Sequence, residues 1–475
     1  MSRQHRIYRR SGFCIATSIL WATSVFPAQA QPEIIQSIPV SRELVRPANP
    51  TAAAEEIAPP ISPAVSPGAM LLEACLELGF RHQPAIDAAQ ASLSAAYSSK
   101  RGLDRLIIPR LLTPDLGIRK QQSCEGITIA QAGLAQAEWD TRYSITRNFF
   151  TVQYIRAQQD VVNDVLSNLE KAYGKAKKIF DGGDPDGRIT RVDLDFLEIQ
   201  MGLVEKNKAQ VDNGMLKALA ALREAMGVNY DYPLEIAAVE LPPAVRQQKV
   251  MEKDAKGKDV EKIIFHRVYK IDRESLILAA LSNRGEMIQA SAANRVTNLE
   301  IAAQNRAFGW KVNTFAMGSD VHAKPIPQGL FNNDYRPGAI GPEIAPMVVG
   351  RKADRVQRVT DFAARSSAVV DKTTNLISLD VEAMYLKWQE AVTQVESLAR
   401  IADKSVGLPK RVQDLNPREF TSSAIIQANT VAIMVRTQLN DALHTHALAL
   451  AGLERASAGA FQTYPVPANL PIAAK

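Results

Sequence analysis

GRITRVDLDFLEIQMGLVEKNKAQVDNGMLKALAALREAM, residues Gly187–Met226, sets Leu194, Leu197, Met201, Val204, Val211, Met215, Ala218 and Leu222 in alternating steps of three and four, with Lys208 as the interruption. A stripe this narrow predicts a long helix that buries one seam against another helix. The pattern returns over Asn416–Ala456, where Ile425, Ala428, Ala432, Val435, Leu439, Ala442, Ala449 and Leu453 keep the spacing and His446 interrupts it. Both stretches close on related words, ALAALREAMG at Ala218–Gly227 and ALAGLERASAG at Ala449–Gly459. The chain therefore reads as a duplication, each half carrying a long helical hairpin.

A chain of 475 residues has ample material for a core. Its formal charge is +6, but Arg3, Arg6, Arg9 and Arg10 lie in the first thirty residues with no acid, leaving +2 for the remainder. So small a balance gives no electrostatic case for nucleic acid. That basic start, the apolar run Gly12–Val25 and Ala28-Gln29-Ala30 predict a secretory leader over residues 1–30. Arg9-Arg10 is a partial fit to a twin-arginine signal, and Cys14, preceded by Gly12-Phe13, lacks a lipobox. No later window offers the roughly 18 apolar residues of a spanning helix, so membrane insertion would have to use strands. Cys75 and Cys124 survive cleavage of the leader; an oxidising compartment permits a disulfide, while two cysteines on different helices also serve as separate small residues.

Residues 31–68 read as a Pro/Ala-rich tether. A first repeat spans 69–228: short helices over Leu71–Phe80 and from Pro84 to about Arg105, a break over Leu106–Gly126, a helix over Ile127–Phe180, a glycine-rich turn, then the opening stretch. Residues 229–272 form an irregular linker whose charged run Lys249–Lys262 predicts an exposed insertion. The second repeat, 273–459, restarts the pattern, with a break over Phe308–Gly350, a helix from Lys352 to about Asp403 and a turn over Lys404–Leu415. Asn416-Pro417 suits a helix start, and residues 460–475 are a tail.

This duplicated layout, with ALREAMG closing the first half, DALHTHALALAGLERASAG closing the second and LSNRGEMIQASAANR opening the second repeat, resembles the TolC-like outer-membrane efflux proteins. A proline usually stands where this chain has Gly285. The resemblance implies a mainly α fold and a homotrimer whose hairpins close an α-barrel, with four strands per subunit completing a 12-stranded barrel in outer-membrane lipid. It implies an outer-membrane exit duct with a periplasmic extension, passively conducting small molecules or ions from an inner-membrane pump through a periplasmic adaptor. Strand patterns fit unevenly: RLLTPDLGIRKQQ does not alternate, whereas Trp310, Val312, Thr314 and Ala316 do. The rival reading is therefore a periplasmic coiled-coil scaffold or adaptor that never enters the membrane.

By the same analogy the hairpin tips face the adaptor, through Gly182, Gly183, Asp184, Asp186 and Arg188 in the first and Gly407, Lys410 and Arg411 in the second. Asp403, Lys404, Arg411 and Asp414 are candidate gate residues or, equally, a solvated helix end. Asp184, Asp186, Gly187, Ile189 and Asp193 occupy positions three, five, six, eight and twelve of a calcium loop, although Gly182 and Asp193 leave positions one and twelve weak. The other reading is a polar turn relaxed by its glycines. His444 and His446 do not share a helix face. With no P-loop, G-x-S-x-G or H-E-x-x-H, neither an enzyme nor a cofactor is expected.

Overall fold

The computed structural model describes residues 68–106, 113–182, 189–253, 259–307, 350–413 and 422–462. In chain order these form α1 (Leu72–His82), α2 (Pro84–Asp104), α3 (Leu116–Asp181), α4 (Arg191–Ala225), β1 (Val245–Lys253), β2 (Asp259–Arg267), α5 (Arg273–Asn283), α6 (Gly285–Arg306), α7 (Lys352–Val406), α8 (Leu408–Gln413) and α9 (Ser422–Ala456). The duplication is plain: α1, α2, α3 and α4 recur as α5, α6, α7 and α9. The leader, the tether, most of the second break and the tail fall outside the described residues.

The long helices form because their seams find partners. Leu194, Leu197, Val204, Val211, Ala218 and Leu222 are buried, and so are Ala428, Ala432, Val435, Ala442, Ala449 and Leu453. Lys208, the interruption in the first seam, is exposed; His446, the interruption in the second, is fully buried. Helix α3 packs on α4 along one flank and on α9 along another, and α9 packs in turn on α7. The order across the array is thus α4, α3, α9, α7, with α4 and α7 at its two ends. Helix α6 lies across α3 and α7, while α2 and α1 rest on α3 and α5 on α7.

Glycine decides two details of this packing. Gly227 and Gly459 close α4 and α9 at φ +68 and +80, and their amides return to the carbonyls of Glu224 and Glu454, both at 2.9 Å. This left-handed termination suits glycine and is the reason the closing words of the repeats agree. Gly285 opens α6 where a Cβ would sit 2.5 Å from the Ala132 carbonyl oxygen on α3. Close passage of the two helices explains a glycine at the repeat position that holds Pro84 in the first half.

Three expectations need correction. Helix α3 begins at Leu116 rather than Ile127, so its 66 residues run for about 100 Å at a rise of 1.5 Å each. The first break shrinks to the eleven residues Arg105–Asp115. Two barrel strands need about 9–11 residues apiece and a turn between them, so this connection cannot hold its share of a 12-stranded barrel. A transmembrane β-strand is not among the described residues; the alternating residues Trp310–Ala316 lie outside them. The strands that are described, β1 and β2, pair antiparallel from Val245↔Arg267 to Lys253↔Asp259, inside the linker expected to be irregular.

The linker also ties the halves together. Met70 and Ile236 form a parallel bridge, closed by Met70 N–H to the Glu235 carbonyl at 2.8 Å and Ala237 N–H to the Met70 carbonyl at 2.9 Å. Ile236 enters the core built on Phe149, Phe150 and Leu222, and Ala244 enters the one built on Ile377, Val381 and Trp388. Gln153 and Arg156 of α3 hold the strap between them, donating to the carbonyls of Ala237 and Ile236 at 2.7 and 2.9 Å.

Candidate functional site

The tips are the first place to look. Gly182 ends α3 exposed, while Gly183, Asp184, Asp186 and Arg188 lie outside the described residues. Past them, Thr190 and Asp193 form a reciprocal cap: the Asp193 carboxylate accepts from the Thr190 amide at 2.9 Å and hydroxyl at 2.6 Å, and the Thr190 hydroxyl oxygen accepts from the Asp193 amide at 3.3 Å. This box starts α4 at Arg191 rather than Gly187. It also commits the carboxylate that the calcium reading placed at position twelve. Among the described residues no group of three or more His, Cys, Asp or Glu could hold a metal.

At the second tip Gly407 separates α7 from α8, and Lys404, Lys410 and Arg411 are exposed or half-buried at most. Arg411 folds back so that its Nη2 donates to the Lys404 carbonyl at 2.7 Å, capping the end of α7. Of the proposed gate, the structure joins Lys404 and Arg411 through the backbone; Asp403 lies in the last turn of α7, and Asp414 lies outside the described residues. Cys75 and Cys124 are both free thiols, the first buried and the second exposed. Burial, helped by Glu73, pushes the Cys75 thiol up to about 12.

A second locus was not flagged by sequence patterning. At the meeting of α3, α6, α7 and α9, Arg284 donates to Asp380 at 2.7 Å and to Glu286 at 2.9 and 3.2 Å. Arg455 lies 3.5 Å from Asp380, 3.6 Å from Asp140 and 5.1 Å above the Tyr143 ring, and Arg142 donates to Glu454 at 2.7 Å. Arg284 and Asp380 side chains are 4% and 3% exposed. Burial alone would push the Glu286 carboxyl up; the Arg284 guanidinium beside it outweighs that and holds it down. The only sequence signal was the Glu454-Arg455 pair inside the closing phrase.

The third locus is titratable. His444 stacks on Tyr154 at 4.5 Å between ring centres, with its Nε2 3.3 Å from the Thr151 hydroxyl. Burial first, then Lys387 and Arg147, lower its pKa to about 4. Burial brings His446 to about 4 as well, with the Pro242 carbonyl pulling weakly the other way. Both imidazoles are neutral in the folded chain, and the unfolded chain takes up protons first as pH falls. Their contribution is therefore intact above about 6.5 and is lost progressively down to about pH 4, by about 3 kcal/mol for each histidine. Asp441, whose carboxyl is raised by burial, offsets part of this in the acid direction. Urea midpoints measured between pH 7 and 4 should fall steadily in the parent chain and much less in His444→Phe/His446→Leu. Equal slopes for the two proteins would rule the histidines out as the cause.

Finally, the end helices of the array carry bare apolar surface. On α4, Val192, Phe196, Ile199 and Leu203 are 59, 54, 58 and 39% exposed at four-three-four spacing, roughly opposite the buried seam at 100° per residue. On α7, Leu386, Ile401 and Val406 are about half exposed. Among the described residues no partner helix covers them.

No protein-family model matches the sequence, and no curated protein matches it. Solved structures do. The outer membrane protein VceC of Vibrio cholerae aligns over 82% of this chain and 97% of its own, at 12% identity and TM-score 0.57. The outer-membrane channel OprN aligns over 82% and 90%, at 11% identity and TM-score 0.61. The open-state outer membrane channel MtrE of Neisseria gonorrhoeae gives 82% and 89%, 13% identity and TM-score 0.54. The resemblance drawn from the repeat phrases thus holds at the level of the fold. The exit-duct function attached to it does not carry over. The α2–α3 connection, Arg105–Asp115, is too short for a pair of crossing strands.

Proposed function

We propose that this chain, sharing its fold with outer-membrane channel proteins, is an exported, non-enzymatic periplasmic scaffold that closes into a ring with copies of itself and does not span the membrane. The open four-helix array carries this reading. An array whose ends are different surfaces, α4 on one side and α7 on the other, associates head to tail, and head-to-tail contacts close into a ring when the curvature permits. Three copies is the number the resemblance implies. Burying the α4 stripe removes about 2 kcal/mol of exposed apolar cost per large side chain. The two tips, lying together at one end, form the face for a periplasmic adaptor, with Gly182, Lys410 and Arg411 at its surface.

Two experiments test the reading. Osmotic shock should release the full chain, and light scattering of that fraction should give the mass of three copies. Recovery solely by detergent from the outer membrane, or a monomeric mass, would overturn it. Phe196→Asp combined with Ile199→Asp should yield a monomer with the helical circular dichroism of the parent, because the changed side chains contact solvent in the isolated fold. A variant still trimeric would show that this stripe is not the closing surface.

A further inference from the structure

The duplication leaves one helix face unmatched. Residues 201 apart correspond in α2 and α6, since Pro84 and Gly285 open the two helices. Residues 235 apart correspond in α3 and α7, where buried Ile145, Phe149 and Gln153 fall on buried Asp380, Met384 and Trp388. Helix α6 is gripped on two sides, by α7 of its own repeat and by α3 of the repeat before it. Helix α2 packs on α3 of its own repeat, and among the described residues no helix stands on its second side.

That second side can be read position by position. Where α6 meets α3, the Gln289 amide donates to Gln136 at 3.3 Å and reaches Gly133, and Gln122 donates to the Val296 carbonyl at 3.2 Å. Glu300 accepts from Gln122 at 2.8 Å and from Arg119 at 3.1 Å. Gln289, Ala292, Ala293, Val296, Glu300 and Ala303 are all buried. Their counterparts on α2 are Ala88, Ala91, Ser92, Ala95, Ser99 and Gly102, and all six are exposed. On α7 the counterparts of Arg119, Gln122, Gly133 and Gln136 are Asp354, Gln357, Ala368 and Asp371, and these too are exposed. At 100° per residue each exposed set falls within about 100° of its helix, so each is a single face. The chain thus carries, bare and on two different helices, both halves of an interface that it builds once within itself.

We propose that the exposed face of α2 is the docking face for α7 of a second copy of this chain, packed as α6 is packed on α3, with Ala88 against Ala368, Ala95 against Gln357 and Ser99 against Asp354. The inference rests on the head-to-tail closure proposed above and adds to it a second contact, at the level of α2. Alanine, serine and glycine let two helices approach with almost no side-chain entropy to lose. Gln357, whose amide donates to Asp361 at 3.0 Å in the single chain, turns to the Ala95 carbonyl as Gln122 turns to that of Val296. Asp354 stands for Arg119 and Ser99 for Glu300, so the buried ion pair is replaced by a hydroxyl donating to a carboxylate. Pro84 carries a Cβ where Gly285 has none, so the two helices stand farther apart at that end.

Crosslinking of the full chain tests this contact apart from the ring itself. In a Cys14→Ser/Cys124→Ser background, where the remaining Cys75 is buried, Ala88→Cys plus Ala368→Cys should give a ladder of covalent multimers with a short bis-maleimide. Each single substitution should give none. Because α2 and α7 do not pack on each other within one chain, the ladder reports contact between copies. Ala91→Trp, at an exposed position, should keep the helical circular dichroism of the parent and raise the concentration for half-dissociation by about tenfold or more. A multimeric mass by light scattering with no ladder, or with dissociation unchanged in Ala91→Trp, would overturn the docking of α2 and leave the ring standing. A monomeric mass for the parent would overturn both. A dimer from Ala88→Cys alone would show α2 meeting a second α2, and would also overturn it.

Discussion

Asp380→Ala is expected to destabilise the chain by about 3–5 kcal/mol, the usual cost of removing one member of a buried ion pair. Asp380 accepts from Arg284 at 2.7 Å and sits 3.5 Å from Arg455, and all three side chains are at most 6% exposed. Taking it away strips each of two buried guanidinium groups of a carboxylate, leaving Arg284 to Glu286 and Arg455 to the more distant Asp140 at 3.6 Å, and neither can shed its proton. Asp380→Asn should cost less, since an acceptor remains, and replacing Arg142 and Glu454 together by leucines should cost less still because no charge is left alone. Thermal and urea unfolding of the purified chain decide the matter. A loss below about 1 kcal/mol for Asp380→Ala would mean that water reaches the junction.

The second large effect concerns Gly227. Gly227→Ala places a Cβ 2.4 Å from the His82 carbonyl oxygen and 2.8 Å from the Gln83 Cα, both backbone atoms, at a residue with φ +68. Left-handed strain of about 1–2 kcal/mol adds to a clash that can be relieved by moving α1 and α2 away from α4, and the total should exceed about 3 kcal/mol. At Gly174 the same change meets open space inside α3, seven residues before its end, and should stabilise by about 0.5–1 kcal/mol through helix propensity. Opposite signs for one chemical change, read as shifts in Tm, test whether the repeats end as described. If both variants fell together, the Gly227 turn would not be the constraint.

Much of the architecture was legible because it follows from periodicity. Seams at three-four spacing survive in the structure almost residue for residue, and the repeat phrases located the closing turns, whose glycine requirement is local and strong. Legibility fell where charge or proline was allowed to outvote pattern. The stretch before Ile127 was read as a break on the strength of Pro109, Pro114 and Gly117, yet helix resumes at Leu116, directly past the last proline. There Gln122 is buried and donates to the Val296 carbonyl at 3.2 Å, a tertiary contact that no local signal announces. The linker reads as irregular because of Pro242-Pro243 and the charged run Lys249–Lys262. The β-branched and aromatic run Ile263-Ile264-Phe265 was the overlooked strand signal.

The candidate loci divide along the same line. Tip residues could be named because turns are written in glycine and proline, although half of them lie outside the described residues. The charge junction could not, since Arg284, Asp380 and Arg455 are 96 and 75 residues apart in the chain and are assembled only by packing. Its members looked like ordinary solvated charges.

The strap and the charge junction fasten all the long helices near Phe149 and Asp380, far from the tips. About thirty residues of α3 extend past that fastening, roughly 45–50 Å at 1.5 Å per residue. Packed on α4 through Val165, Leu169 and Leu197, this stretch would move with that neighbour as one lever: tilting the pair by about 5° sweeps the far end through about 4 Å. A signal arriving as a sub-ångström repacking beneath Gln153 and Arg156 would therefore leave as a movement large enough for another protein to feel.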